Sequence, residues 1–145
     1  MTTADTPRPF AAVGIIVLNQ SGQVLIGERL SSHGAGTYQI PGGHLEFGLT
    51  FEQAARKEVA EETGLTNLTF EKIVCLNNER VYGKHFVNIG FLVRCNGGEP
   101  GNPEPDKSRN WSWYRSGEIP APLFAPTKAV LDAWRSGTFF NEVVV

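Results

Sequence analysis

The chain has 145 residues, 41% of them hydrophobic and 19% charged, with a formal charge of −2. A chain of this length can bury roughly 68–70% of its unfolded surface, so one domain with a sizeable core is expected over residues 10–145. The slightly acidic balance excludes a broad basic face for nucleic acid, and no stretch reaches the about 18 apolar residues of a membrane span.

The opening "MTTADTPRPF" is polar and proline-containing, so residues 1–9 read as a flexible N-terminal tail. It has no apolar run of signal-peptide type. Cys75 and Cys95 lie singly inside apolar runs, with neither metal-knuckle nor disulfide-framework spacing. Buried free thiols in a reducing, cytoplasmic compartment are expected.

"AAVGIIVLN" (11–19) is β-branched and apolar, as a buried strand requires. "QSG" turns the chain, and "QVLIGERL" (23–30) reads as the returning strand of a hairpin. "SSHGAGT" (31–37) is a loop. The short extended piece "YQIPGG" is stopped by Pro41, because a residue before proline avoids the helical region. Thr50 and Gln53 form a capping box, and Gly64 sits where a helix ends. Between them Phe51, Ala54, Ala55, Val59 and Leu65 make an apolar stripe at helical spacing. "LTFEKIVCL" (68–76) and "HFVNIGFLVRC" (85–95) read as strands joined by polar "NNERVYGK". A long turn-rich loop spans 96–110, "WSWY" is one more strand, and "TKAVLDAWRSG" is a C-terminal helix closed by Gly137. Strands on both sides of a central helix point to an α/β or α+β sandwich.

The helix behind the glycine loop carries the chemistry. Glu58, Glu61 and Glu62 are spaced i, i+3 and i+4, so their carboxylates project from one face. Glu52 is placed to pair with Arg56, which leaves the three glutamates short of partners within the helix. A hard divalent cation would relieve their repulsion, because Mg²⁺ favours oxygen ligands and keeps waters for phosphates. Gly42 and Gly43, just upstream, let backbone come close to a ligand.

From Gly43 onward the chain resembles the Nudix hydrolases, whose signature runs Gly-x5-Glu-x7-Arg-Glu-apolar-x-Glu-Glu-x-Gly-apolar. Gly43, Glu58, Val59, Glu61, Glu62, Gly64 and Leu65 stand in register. "GAGTYQIPGGHLEFG", "HFVNI" and "EPDKSRNWSW" look like the MutT-homologue branch called Nudix type 15. The resemblance implies an α/β/α sandwich with a mixed central sheet and a loop-helix-loop box. It implies Mg²⁺ or Mn²⁺ on Glu58, Glu61 and Glu62, with the Gly42 carbonyl as a further ligand. Glu58 acts as base in some relatives. Others use a loop outside the box, where Glu104 is the candidate here and Asp106 its substitute. By the same likeness Arg29 and Gly43 would meet phosphate, Asn88 a base edge, and Phe124 would stack on the nucleotide. A homodimer is common in that branch.

Two positions depart from the signature. Leu49 replaces a glutamate, and Lys57 replaces an arginine, keeping the charge but losing the planar fork. Leu49 is expected to pack against Phe51 or Phe47 and to weaken support of the loop. His33, His44 and His85 show no ligand spacing and read as surface or structural groups, and the tryptophans serve the core. The implied reaction is Mg²⁺-dependent hydrolysis of a (deoxy)nucleoside triphosphate to monophosphate and pyrophosphate. The alternatives are hydrolysis of ADP-ribose or another nucleotide sugar, and a nucleotide-binding domain that has lost its chemistry.

Overall fold

Residue alternation along the strands sets the layers. In β1 (Phe10–Leu18), Val13, Ile15 and Val17 point to one side of the sheet and Ile16 and Leu18 to the other. A strand apolar on both faces must be covered on both, and two helices do this. α1 (Phe51–Thr63) lays Ala54, Ala55 and Val59 on the first face, and α2 (Ala125–Ser136) lays Val130, Leu131 and Ala133 on the second. The computed structural model describes residues 6–145, so the part of the expected tail at 1–5 lies outside the described residues.

The central sheet runs β3 (Tyr38–Gln39), β2 (Val24–Arg29), β1, β6 (Lys84–Cys95), β5 (Leu68–Val81), β8 (Phe140–Val144). β4 (Gly42–His44) pairs with β1, and β7 (Ser108–Tyr114) with β2. β1–β6 and β5–β8 are parallel and the other pairs antiparallel, giving the mixed α+β sandwich.

The capping box at Thr50 and Gln53 forms in both directions, and Gly64 closes α1 in the left-handed region. Phe51 is more exposed than the apolar stripe implies, although its ring meets Phe91 at 5.7 Å. Trp111 is buried, donating from Nε1 to Ser108 Oγ at 3.0 Å. Both cysteines are buried and free, and burial pushes the Cys75 thiol up to about 11.

Three elements differ from the sequence reading. "NNERVYGK" is not a polar connection, because β5 continues to Val81 and turns at Tyr82–Gly83 straight into β6. Asn77, Glu79 and Val81 point inward and are buried, so polar side chains occupy the positions where a hydrophobic alternation would reveal a strand. β7 begins at Ser108, shortening the long loop. β8 is an additional edge strand, half exposed throughout, whose "FNEVV" gave no alternation to read.

Candidate functional site

β4 and α1 meet where the glycine loop crosses the helix. A Cβ on Gly43 would lie 2.8 Å from Glu58 Oε2, so a larger residue there would push that carboxylate aside. The Gly42 N–H donates to Glu62 Oε2 at 2.9 Å, so the contact observed for Gly42 is through its amide. Glu58, Glu61 and Glu62 line one wall of a cavity of about 600 Å³. Glu104, from the loop before β7, lines it as well, held near Lys107 at 3.5 Å, whereas Asp106 is exposed and outside that wall.

Burial and crowding raise two of them, Glu58 and Glu62. Burial first, then the charge of Glu61, with further contributions from Glu46 and Glu104, pushes Glu58 up to about 7. Burial and then Glu58 push Glu62 up to about 9, against the Gly42 N–H and Arg29, which favour its anion. Chemically the wall is a set of hard oxygen donors in excess of cations, which suits Mg²⁺ or Mn²⁺. Among the described residues no three acidic, His or Cys side chains are yet drawn together as a cage. The reason is local: Glu62 is engaged by Gly42 and Glu61 by Lys57.

That second contact corrects the expectation that the three glutamates lack partners within the helix. Lys57 pairs with Glu61 at i, i+4 and also reaches Glu46 at 2.9 Å. Hydrogen bonds to Glu61 and then Glu46 raise the Lys57 pKa. Glu52 and Arg56 pair as expected, at 3.3 Å. Glu46–Lys57 ties the loop to the helix where position 49 offers no carboxylate. Leu49 instead packs against the α1-side core, while Phe47 is fully exposed and gives it no cover.

The opposite side of the cavity comes from other elements. Arg29, at the end of β2, donates from Nη1 to Gln39 Oε1 at 2.8 Å and from Nε to the His33 carbonyl. Its guanidinium lies 4.1 Å from the Phe124 ring centroid, a cation–π contact. Burial lowers its pKa, opposed by Glu62, and a guanidinium stays charged. Phe124 precedes α2 and stacks on Tyr82 at 5.5 Å, while the Tyr82 hydroxyl accepts from the Ala125 N–H. Asn88 on β6 and Glu79 on β5 lie deeper, hydrogen-bonded to each other at 2.9 Å.

Arg29, Gly42, Gly43, Glu58, Glu61, Glu62, Asn88, Glu104 and Phe124 therefore all face the one cavity. His33 and His44 line it too: His33 stands edge-on to Tyr82 and His44 stacks on Phe10. Glu79 and Tyr82 join the wall as residues hard to read from sequence: Tyr82 stands as a lone tyrosine downstream of the box, and Glu79 gives no signal without the β5–β6 register.

Comparison with known proteins agrees with this architecture. The NUDIX domain family model matches residues 8–134. The oxidized purine nucleoside triphosphate hydrolase of Danio rerio is 33% identical over 106 residues, covering 73% of this chain and 67% of that protein. The ADP-ribose pyrophosphatase of Methanocaldococcus jannaschii is 27% identical over 133 residues, covering 90% of this chain and 77% of that protein. The chain spans less than half the length of several other curated relatives it matches. Among solved structures, a MutT NUDIX hydrolase from Burkholderia pseudomallei superposes with a TM-score of 0.75 at 26% identity, covering 88% of this chain and 98% of that one. With the glycine loop on the acidic helix, inside the sandwich that these relatives share, the chain is a MutT-like member of the Nudix hydrolase family.

Proposed function

We propose that the chain hydrolyses a (deoxy)nucleoside triphosphate to the monophosphate and pyrophosphate, as a single catalytic domain over residues 10–145. The observation that carries this reading is the shared cavity: an acidic wall suited to cation-bound phosphates faces a basic and aromatic wall suited to a nucleotide. Glu58, Glu61 and Glu62 would hold Mg²⁺ or Mn²⁺, with the Gly42 backbone beside them. When bound, the cation lowers the pKa of water and screens phosphate charge.

The protein's own groups supply the rest. Arg29, fixed by Gln39 and Phe124, binds phosphate oxygens with little loss of side-chain freedom. The Glu104 carboxylate faces the cavity and accepts the proton of the attacking water. One water adds to phosphorus, the bond to the bridging oxygen breaks, and pyrophosphate leaves. Phe124 and Tyr82 form an aromatic side to the pocket that keeps the nucleotide in place.

A second reading, hydrolysis of ADP-ribose, is favoured by one finding: the archaeal relative with that name aligns along 90% of this chain. A product assay separates the two. The chain is incubated with Mg²⁺ and nucleoside triphosphates, nucleotide sugars or dinucleoside polyphosphates, and the products are resolved. Monophosphate and pyrophosphate from a triphosphate, lost in Glu62→Gln, is the expected outcome. Cleavage of ADP-ribose alone would transfer the assignment to the second reading, and binding with no turnover would leave a nucleotide-binding domain.

A further inference from the structure

Tyr82 stands in the left-handed region at φ 52°, and Gly83 follows it at φ 73°. A two-residue hairpin turn of this kind suits Asn-Gly or Gly-Gly, and a bulky first residue is strained. Such strain persists where surrounding contacts hold the residue in place.

Those contacts close a circuit around Arg29. The Tyr82 ring stacks on Phe124, with 5.5 Å between centroids and 10° between planes. The Arg29 guanidinium carbon lies 4.1 Å from the Phe124 ring centroid. Arg29 Nε donates to the His33 carbonyl, and the His33 ring meets Tyr82 edge-on at 4.5 Å. Residues from β2, the 31–37 loop, the β5–β6 turn and the start of α2 thus brace one another. Gly34 packs the loop onto the same group: a Cβ there would lie 2.8 Å from Phe124 Cδ1 and 3.4 Å from Arg29 Cδ. The Tyr82 hydroxyl adds a tether beside Phe124, accepting from the Ala125 N–H at 3.0 Å.

A mobile arginine loses rotamer freedom when it clamps an anion, so fixing it beforehand strengthens binding. Gln39 holds one guanidinium nitrogen, Nη1, and the Phe124 ring supports the plane. Phe124 gives that support only while its own ring is held, and Tyr82 is the ring stacked on it.

We propose that Tyr82 is a positioning residue, holding the Arg29 guanidinium through Phe124 in the orientation that receives substrate phosphate. The inference rests on the nucleotide reading above and deepens it, because it gives the β5–β6 turn a part in phosphate binding.

The test is a double-mutant cycle on Tyr82 and Arg29. It is read by calorimetry as binding of inorganic pyrophosphate with Mg²⁺, and by kinetics as KM and kcat for dGTP. Tyr82→Asn removes the ring but suits the left-handed turn, so the hairpin is kept. It is expected to weaken pyrophosphate binding and raise KM by the same factor, about 3–10-fold, with a smaller change in kcat. Tyr82→Leu, which retains bulk, should repeat this result, and Tyr82→Phe, which retains the stacked ring, should recover most of the loss. In the Arg29→Ala background, Tyr82→Asn should add less than about 2-fold.

Losses that multiply, or a raised KM with pyrophosphate binding intact, would mean that Tyr82 meets the nucleoside directly, and overturn the proposal. Unaltered KM and pyrophosphate binding in Tyr82→Asn and Tyr82→Leu would overturn it too. If the unaltered chain binds pyrophosphate but cleaves no dGTP, the hydrolytic reading fails and the binding cycle alone decides the role of Tyr82. If it neither binds pyrophosphate nor cleaves dGTP, both fall.

Discussion

The two acidic regions of the cavity are built in opposite ways. On α1, Glu58, Glu61 and Glu62 come from a single helix face, and burial together with the charge of neighbouring carboxylates pushes Glu58 up to about 7 and Glu62 to about 9. On β5 and β6, Glu79 stands apart from other carboxylates, buried, with Asn88 donating to it. The first region is charge in excess, which calls for a cation. The second is a fixed hydrogen-bonded pair, whose carboxylate already has a donor. On the proposed function, strength of phosphate chemistry and choice of substrate would reside in separate elements, and substitutions should act on one without the other.

The largest separation is expected from Glu62→Gln. Glutamine keeps an acceptor for the Gly42 N–H but removes a proposed cation ligand, so turnover should fall by more than the about 100-fold typical of an outer partner. The melting temperature in EDTA should hold or rise, because a crowded buried carboxylate is gone. Steady-state kinetics and thermal melts read both. Next comes Arg29→Ala, expected to raise KM about 10–100-fold by removing the proposed charged donor to phosphate, with a smaller change in kcat. An unchanged KM would take Arg29 out of the binding machinery.

A smaller effect is expected from Leu49→Glu. The Glu46–Lys57 bridge already ties loop to helix, so turnover should rise by less than about 10-fold. Leu49 packs on the α1-side core, and the change should cost about 0.5–3 kcal/mol in stability, read by denaturant unfolding. A gain far above 10-fold would show that the bridge does not replace the missing glutamate.

A last effect, on stability alone, concerns pH in the metal-free protein. Glu58 and Glu62 have folded pKa values near 7 and 9, above the ordinary 4.5. Between those limits the folded chain holds protons that the unfolded chain has released. Their stabilising contribution is therefore full below pH 4.5 and lost as pH rises through 7 and 9. Melting temperature in EDTA should fall across this window, and Mg²⁺ should remove most of the fall. A melt independent of pH would contradict the crowding.

The same contrast explains what the sequence could reveal. Glu58, Glu61 and Glu62 share one helix, so periodicity alone places them on one face. Thr50, Gln53 and Gly64 mark its ends by local chemistry. The inner wall depends on which residues of two strands stand opposite one another, and that register is set by the whole sheet. Glu79 was hidden for this reason: inside "NNERV" it reads as loop polarity. Lys57 shows a different limit, because its reach to Glu46 follows from how the loop folds back on the helix, not from spacing along it. Leu49 was legible as a departure, while its packing partner became clear only from the core it joins.

Mn²⁺ titration followed by electron paramagnetic resonance asks whether the α1 carboxylates form the proposed cation site. Saturable binding by the unaltered chain, sharply weakened in Glu62→Gln and retained in Glu79→Gln, is the expected result. Equal Mn²⁺ binding by the unaltered chain and Glu62→Gln would contradict it.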